Sequence, residues 1–410
     1  MVFAVIAASC SSSKTASTAA APAAATTTPA GATTTAASPA TTAASVTPAS
    51  GTPVKVVSIV SPGTGDDNSA GLQAGVKAIN AEGGLKGRPV DLTICTDNND
   101  ANTAAKCARD AVDDPSVVAI VDQSGSYGAS VYPILEAGRL PALGSQIFGQ
   151  TDAKSPMTFE SSAGIFNSIA SAKLAVQQLG AKKIGVPYVD IPAGAQLPPF
   201  ITAIIKPLGG SVVGAIPVPL TAGDVTSQVA NELAASPDAI IDGLTVEQYT
   251  KFIQTTRQQG SSVPFLVSAG VFDASQIKDR LAGANSNIYI IGEYNHLSDG
   301  YQQFLKDIDT YNKSYGNRND SVLSGWIALK MLQFAGNKAA TVDRAGILAV
   351  MNATTDFDVS GLMGPTDYTK PQTGLGGSLP RVVNDAIYVY KYQDGKEVAV
   401  NGSPAVHLFS

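Results

Sequence analysis

The chain has 410 residues, of which 44% are hydrophobic and 15% charged, and its formal net charge is −6. This length exceeds what one hydrophobic core usually fills, so we expect two lobes. The acidic balance argues against nucleic-acid binding, which needs clustered Lys and Arg. No run of about 18 or more apolar residues occurs, so the sequence predicts no membrane-spanning helix.

The first ten residues resemble the end of an export signal. Val2–Ala8 is a short apolar run that leads into Ala7-Ala8-Ser9-Cys10, a pattern similar to a lipobox, where the signal is removed and the cysteine is acylated. Leu is usual where Ala7 stands and no basic residue precedes the run, so we interpret residues 1–10 as a truncated signal peptide. We expect lipidation at Cys10 and an extracytoplasmic location, either anchored to the outer face of the cell membrane or periplasmic.

Residues 11–53 predict a disordered linker. They are nearly all Ala, Thr, Ser and Pro, with Lys14 as the only charged residue. Such a segment has no apolar face to offset chain entropy, so it suits a tether. A plain low-complexity tail is the alternative.

From Val54 onward, strands alternate with helices. In the first half, apolar runs predict strands at Val54–Val60, Val90–Ile94 and Val117–Val121. Between them the pattern predicts one helix with Leu72, Val76 and Ile79 on a single face and a second helix over Thr103–Val112. The alternation restarts at Ile165, with strands near residues 183–186, 239–241 and 264–267 and helices near 169–179, 225–233 and 246–256. The pattern predicts an α/β fold with two open, doubly wound parallel-sheet lobes. Ala386–Tyr392 followed by Asp394-Gly395 predicts a terminal β-hairpin.

The cysteines and histidines bear on redox state and metal binding. Cys95 and Cys107 lie 12 positions apart, and His296 and His407 are the only histidines, so a zinc site lacks ligands. We interpret Cys95 and Cys107 as a disulfide, which presupposes an oxidising compartment. Two buried free thiols are the alternative.

Enzyme motifs are not matched. Gly63-x-Gly65 follows a strand, but Asn68 stands where a dinucleotide fingerprint needs its third glycine. Ser126 is not in a G-x-S-x-G context. Asp97 and Asp100 are better explained as an Asx turn and a helix N-cap. We therefore expect no enzyme activity, no cofactor and no metal.

Three local patterns together point to a family. They are Gly71–Gly75 continuing through Ile79–Arg88, then Asp97 with Ala104, Ala105 and Ala108 before a strand leading to Ser124, and finally Met363-Gly364-Pro365. In this order and spacing, the chain from about Val54 to its end resembles the type I periplasmic binding proteins of the leucine/isoleucine/valine-binding class. The resemblance implies three crossings between lobes, near 159–163, 292–296 and 363–367. Lobe 1 would hold 54–160 and 297–362, and lobe 2 would hold 161–296 and 363–410.

The resemblance also implies where a ligand carboxylate would bind. The matching positions are Ser124 with Gly125, and Ser145, Gln146 and Ile147, where hydroxyl and backbone N–H donors suit an anion. Ordinary turn or N-cap serines are the alternative. Tyr127 is a candidate aromatic of the cleft, although a packing role fits equally.

The position for a ligand ammonium group differs from the family pattern. Ala269 stands where an acidic residue is expected, and Thr245 stands where a tyrosine is expected. Because an ammonium buried without a partner is costly, we expect a ligand other than a simple branched-chain amino acid. A carboxylate, an amide or another neutral solute fits at least as well. Asp190, Asp242 or Glu247 could substitute if its side chain reaches the cleft.

The resemblance implies a monomeric substrate-binding protein that delivers an amino acid or related small polar or carboxylate solute to the permease and ATPase subunits of an ABC importer. It would bind no nucleic acid and would touch the membrane only through its lipid anchor. A ligand-sensing receptor that relays to a partner protein is the alternative.

Overall fold

The structure, a computed structural model, describes residues 47–62, 65–191, 194–241, 243–400 and 405–408. The predicted signal, the lipidation site Cys10 and nearly all of the linker lie outside these residues. So do Gly63, Thr64 and Asp242. No helix within the described ranges combines the length and the apolar character needed to cross a bilayer.

The first half of the chain forms a five-stranded sheet, which we call the first sheet. All of its strands are parallel, in the order β2-β1-β3-β4-β5. The strands are β1 (Val54–Val60), β2 (Val90–Thr96), β3 (Val117–Val121), β4 (Ala142–Ser145) and β5 (Thr158–Glu160). The helices between them are α1 (Gly65–Ala81), α2 (Ala101–Asp113) and α3 (Gly128–Ala137).

The second half forms an eight-stranded mixed sheet, the second sheet. Its order is β14-β13-β12-β11-β10-β6-β8, with β15 also paired to β13. The strands are β6 (Lys183–Gly185), β8 (Ser211–Gly214), β10 (Ala239–Ile241), β11 (Phe265–Ser268), β12 (Ile288–Gly292), β13 (Ala386–Gln393), β14 (Lys396–Ala399) and β15 (Ala405–His407). The strands from β6 to β12 are parallel, whereas the terminal strands pair antiparallel through β13. Two short strands, β7 (Tyr188–Val189) and β9 (Pro217–Val218), form a separate pair.

The remaining helices cover both sheets. Around the second sheet lie α4 (Asn167–Lys173), which continues as a π-helical turn over Leu174–Gln178, and α5 (Leu197–Ile205), α6 (Thr226–Ala234), α7 (Val246–Gln258) and α8 (Ala274–Arg280). After β12 the chain returns to the first sheet with α9 (Asp299–Tyr311), α10 (Asp320–Lys338) and α11 (Arg344–Asn352). A single turn, α12 (Gly374–Gly377), precedes β13. Residues of α9 to α11 share one buried core with the first sheet, as the two-lobe prediction requires.

The segments that cross between the sheets are bonded to one another. Tyr368 donates its hydroxyl to the Glu160 carbonyl at 2.6 Å, and Asn384 donates its amide to the Ser161 carbonyl at 2.6 Å. The hydroxyls of Ser161 and Tyr294 are 2.9 Å apart. All three crossings therefore meet in a buried block, and we call it the hinge block.

Several local predictions are confirmed. Cys95 in β2 and Cys107 in α2 form a disulfide. Asp97 accepts from the Asn99 backbone in an Asx turn, and Asp100 caps α2 by accepting from the Thr103 backbone at 2.8 Å. The terminal hairpin turns at residues 394–395, both of which have positive φ.

Candidate ligand-binding site

Two of the predicted ligand serines lie at the carboxyl ends of neighbouring strands. Ser124 follows β3 and Ser145 ends β4, and they are 2% and 0% exposed. Neither hydroxyl oxygen meets the distance and angle of a hydrogen bond to a described residue, although Ser124 lies close enough to Asp122, and Ser145 to Tyr132, to lower the pKa of that neighbour. Buried hydroxyls in this condition can accept or donate to a solute placed against the strand ends.

The backbone donors of the same loops are engaged within the protein. Ser124 and Gly125 both donate their N–H to the Ile59 carbonyl, at 3.1 and 3.2 Å, and Gln146 donates to the Gln123 carbonyl. The three amides therefore hold the strand-end loops in place. The two serine hydroxyls are donors with which these loops could meet an anion.

A buried carboxyl group that the sequence did not suggest supports these loops. Asp122 accepts from the hydroxyl of Ser324 on α10 at 2.9 Å, and Gln146 donates its side-chain amide to the same hydroxyl at 3.1 Å. Burial raises the pKa of Asp122 to about 7, although the Ser324 hydroxyl lowers it. The network fixes both strand-end loops of the first sheet to α10.

The other predicted residues of the first sheet have structural contacts. Tyr127 is partly buried and donates its hydroxyl to the Asn99 carbonyl at 2.5 Å. Ile147 is fully buried in the second core, against Gly164, where an added Cβ would lie 2.2 Å from the Ile147 carbonyl oxygen. Their predicted roles toward a ligand stay predictions.

The predicted positions of the second sheet have structural contacts within the protein, and their roles toward a ligand stay predictions. Thr245 is exposed and caps α7, where it forms a capping box with Gln248. Ala269 follows β11, is fully buried, donates to the Ile291 carbonyl and accepts from the Asp320 backbone.

Of the three acidic residues suggested as substitutes, the two that the structure describes are exposed. Asp190 follows β7 and is exposed. Glu247 is exposed on α7 and is 3.1 Å from the ammonium of Lys251. Asp242 lies outside the described residues.

A pocket of about 250 Å³ opens at the carboxyl ends of β10, β11 and β12. In open α/β sheets ligands bind at this end of the strands. Its wall combines three apolar side chains with five polar ones. The lining residues are Gly164, Asn167, Ser168, Ser171, Leu197, Ile241, Ser268, Ile291 and Glu293.

The acidic residue in this pocket is Glu293, which the family resemblance places only in a crossing between the lobes. It directly follows β12, is partly buried, and accepts a hydrogen bond from the side-chain amide of Asn167. Burial and, to a smaller extent, the neighbouring carboxylates of Asp320 and Glu160 raise the pKa of Glu293 to about 8, although hydrogen bonds from Ser162 and Asn167 lower it. Ser268 of β11 pairs with Ile291 of the adjacent strand β12. Glu293 therefore follows the strand next to the one that Ala269 follows, and Ala269 is the position where the family pattern has an acidic residue. The signal that could have found it is an acidic residue immediately after a buried strand.

The crossing after Glu293 carries a second charged group, His296. Its Nε2 is 2.6 Å from Asp320 at the start of α10, and its Nδ1 is 2.6 Å from Glu397 of β14. The ring is stacked between Tyr301 and Tyr390, with centroids 4.5 and 5.1 Å away. Burial alone would lower the pKa of His296, but the two carboxylates outweigh it and hold the pKa well above its usual value. We call these five residues the His296 clamp.

Two α/β sheets joined by three crossings, with a pocket at the strand ends, define a two-lobed fold of the kind that holds small molecules between its lobes. Residues 56–396 match the family model described as periplasmic binding protein, and the chain belongs to this family. Leu/Ile/Val-binding protein homolog 7 of Brucella melitensis is 24% identical over 314 residues, which cover 70% of this chain and 77% of that protein.

Solved structures share the fold at lower identity. A leucine-binding protein, LivK, of Thermotoga maritima is 20% identical with a TM-score of 0.66, covering 86% of this chain and 99% of that chain. LivJ of Streptococcus pneumoniae, solved with isoleucine, is 17% identical with a TM-score of 0.67, covering 86% and 99%. A fatty acid ABC transporter substrate-binding protein of Thermomonospora curvata is 16% identical with a TM-score of 0.71, covering 87% and 92%.

Proposed function

We propose that this protein is the extracytoplasmic substrate-binding component of an ABC importer, and that it captures an amino acid or a related small polar or carboxylate solute between its lobes. The observation that carries the proposal is the pocket at the strand ends of the second sheet, next to the hinge block. Membership of the periplasmic binding protein family supports it. So do the Leu/Ile/Val-binding and ABC-transporter names of the relatives.

The proposal assigns lobe 1 to 54–160 with 297–362 and lobe 2 to 161–296 with 363–410. Most residues of the first buried core fall in the proposed lobe 1 and most of the second in lobe 2, although Ile147 and Ala153 pack in the second core and Tyr294, Met363 and Tyr368 in the first. In such a molecule a solute stabilises the closed arrangement of the lobes, which the permease and ATPase subunits would read. Anchoring through a lipid on Cys10 and a monomeric state belong to the same proposal. The solute is bound and released without chemical change.

Native mass spectrometry of the expressed full-length chain tests the proposal first, through a solute that co-purifies. With that solute, we expect Ser124→Ala and Ser145→Ala each to weaken binding about tenfold, since one lost hydrogen bond is worth about 1.4 kcal/mol. Ser262→Ala is the matched control, because Ser262 is exposed and lies before β11, at the opposite end of that strand. Isothermal titration calorimetry measures all three variants.

Two outcomes would count against the proposal. One is conversion of the bound solute into a product, which would indicate an enzyme. The other is full retention of affinity in both serine variants, which would place the solute away from the first sheet.

A further inference from the structure

We propose that Asp122 couples the capture of a carboxylate solute to the uptake of one proton, so that such a solute binds more tightly as the pH falls. The proton is held by the buried carboxyl group of Asp122, which acts on the solute through the hydroxyl of Ser124. Asp122 is therefore a positioning residue. This inference rests on the proposed function and adds a form of regulation to it.

Asp122 occupies a backbone position that residues other than glycine adopt only with strain. It directly follows β3, two residues before Ser124, and its φ is 51°. The residue is also 0% exposed, so its carboxyl group is removed from water. A charged side chain gains nothing from burial by itself, and a strained backbone at such a residue indicates a role beyond packing.

The hydrogen bonds around this carboxyl group give its two oxygens different roles. Gln146 donates its side-chain amide to the Ser324 hydroxyl oxygen, so the single hydrogen of that hydroxyl is available to Oδ1 of Asp122, 2.9 Å away. Oδ1 is therefore an acceptor. Oδ2 is buried and has no hydrogen-bond partner in the part of the chain that the structure describes. Oδ2 is thus the oxygen that can carry a proton.

The helices packed against Asp122 present neutral groups to it. α1 contributes the side-chain amide of Asn68, and α10 contributes the hydroxyl of Ser324. These two groups and Ser124 each lower the pKa of Asp122, but burial outweighs them and raises it to about 7. No positive charge within the described ranges contributes to this balance. The carboxyl group can consequently gain or lose its proton near neutral pH.

The strands around Asp122 add no cation either. The hydroxyl of Ser58 in β1 donates to the Asp122 carbonyl oxygen at 3.0 Å, and the Leu143 carbonyl of β4 accepts from the Asp122 backbone at 2.8 Å. After β2 stands the carboxyl group of Asp97, which accepts from the hydroxyl of Ser61 at 2.7 Å. An ionised Asp122 therefore brings a negative charge to this sheet edge with no cation to offset it.

The protonation of Asp122 decides what Ser124 can offer to a solute. A serine hydroxyl has one hydrogen to donate and two lone pairs that accept. When Asp122 is neutral, its own O–H can donate to Ser124, whose hydrogen is then free for a solute carboxylate. When Asp122 is ionised, it competes for that hydrogen, and the two carboxylates repel each other. A carboxylate solute therefore selects the neutral form of Asp122.

The proton balance gives the direction of the pH dependence. On binding, a proton from solvent forms an O–H bond at Oδ2 of Asp122, and it returns to solvent when the solute leaves. The solute carboxylate stays ionised, since carboxyl groups in water titrate near roughly pH 4. Below pH 7 Asp122 is already mostly neutral, so affinity changes little there. Above that pH, affinity falls by up to about tenfold per unit.

The test compares the full-length wild type with Asp122→Asn, which keeps the shape of the side chain and is neutral at every pH. For a carboxylate solute, we expect both proteins to bind with affinities within about twofold at pH 6. At pH 8 the variant should bind about tenfold more tightly, because the wild type is then mostly ionised. Partial unfolding cannot produce such a gain of affinity.

Calorimetric titration provides the measurement. The probes are the twenty L-amino acids, 4-methylpentanoate, and 4-methylpentanamide as its neutral counterpart. Buffers of different ionisation enthalpy should report about one proton more taken up by the wild type than by Asp122→Asn at pH 8 with a carboxylate probe. Glu293 also has a raised pKa, so this difference between the two proteins assigns the proton to Asp122. Glu136→Gln, which neutralises an exposed carboxyl of α3, is the matched control and should behave as the wild type.

A second variant covers the case in which Asp122→Asn fails to fold. The Ser324 hydroxyl lowers the pKa of Asp122, so Ser324→Ala should move the loss of affinity to higher pH. Equal affinities of wild type and Asp122→Asn at pH 8, or weaker binding by the variant at both pH values, would overturn this inference and leave solute capture standing. So would a protein that binds only neutral solutes. If no solute binds and none co-purifies, the proposed function falls as well.

Discussion

At the scale of single residues, Glu232 is an unusual core group. It lies in α6 with no exposed surface, and neither carboxyl oxygen has a hydrogen-bond partner among the described residues. The side chain covers two glycines of adjacent strands, Gly185 and Gly214, where an added Cβ would lie 2.2 and 1.9 Å from its Oε1. Burial raises the pKa of Glu232 from 4.5 to about 7.

The raised pKa of Glu232 makes the free energy of unfolding depend on pH, and the direction of that dependence can be worked out. Because the folded protein holds the proton more tightly than the unfolded chain, the contribution of Glu232 is fully present below about pH 4.5 and is lost as the pH rises through about 7. Between pH 4 and pH 8 the wild type should therefore lose up to roughly 3 kcal/mol of stability through Glu232, and the Glu232→Gln variant should not show this loss. Urea unfolding at both pH values measures the difference, with Glu136→Gln as the control. Identical pH slopes in the wild type and Glu232→Gln would contradict the assignment.

At the scale of elements, the contact of α1 with α10 depends on two glycines. A Cβ on Gly71 would lie 1.8 Å from the Val322 carbonyl oxygen, and one on Gly325 would lie 2.2 Å from the Asn68 carbonyl oxygen. The obstacles are backbone atoms, which cannot rotate away. The two helices approach this closely because neither has a side chain at the crossing, and Trp326 next to it is fully buried.

Gly71→Ala should consequently destabilise the protein, although alanine is the better helix former by about 1 kcal/mol. We expect a loss of at least about 2 kcal/mol, since overpacked cores must shift backbone to relieve the clash. Gly316→Ala is the matched control, because nothing lies within 4 Å of a Cβ at that position. Chemical denaturation of the two variants gives the comparison. A Gly71→Ala protein as stable as the control would mean that the helices separate without cost.

At the scale of the whole molecule, the His296 clamp joins the two sheets at the hinge. Asp320 and Tyr301 belong to helices packed on the first sheet, while Glu397 and Tyr390 belong to strands of the second. Asp320 also accepts from the backbone of Glu293 at 2.7 Å, so the clamp is directly connected to the pocket. A doubly paired, buried imidazolium of this kind resists loss of its proton.

Replacing His296 leaves the carboxylates of Asp320 and Glu397 without their positively charged partner. His296→Gln should cost about 3–5 kcal/mol of stability, as breaking a buried ion pair does. Because the folded-state pKa is raised, this contribution is fully present below pH 6.5 and persists until the pH rises through that raised value. His407→Gln is the control, since His407 pairs with Asp385 at an exposed position and should cost less than about 1 kcal/mol. Thermal unfolding at pH 6 and pH 8 compares them, and equal losses in both variants would refute the role of the clamp.

Local patterns in the sequence determined much of the architecture. Alternating strands and helices, the Cys95–Cys107 disulfide, the Asp100 cap and the terminal hairpin were predictable because each depends on neighbours in the chain. The resemblance placed Ser124 and Ser145, which do lie buried at adjacent strand ends, although their role toward a solute stays a prediction.

Only the tertiary structure decided which side chains face one another. Glu293, Glu232 and His296 each follow an ordinary local pattern, and their surroundings come from residues far away in sequence, such as Asn167 for Glu293 and Glu397 for His296. Thr245 shows a related limit, because the resemblance placed it at a ligand position and only the structure shows that its hydroxyl caps α7; its role toward a ligand stays a prediction. Periodicity fixes which face of an element is buried, but the neighbour of a strand end depends on how the whole sheet is ordered. Burial and nearby charge, which set the chemistry of these carboxyl groups, exist only once that order is complete.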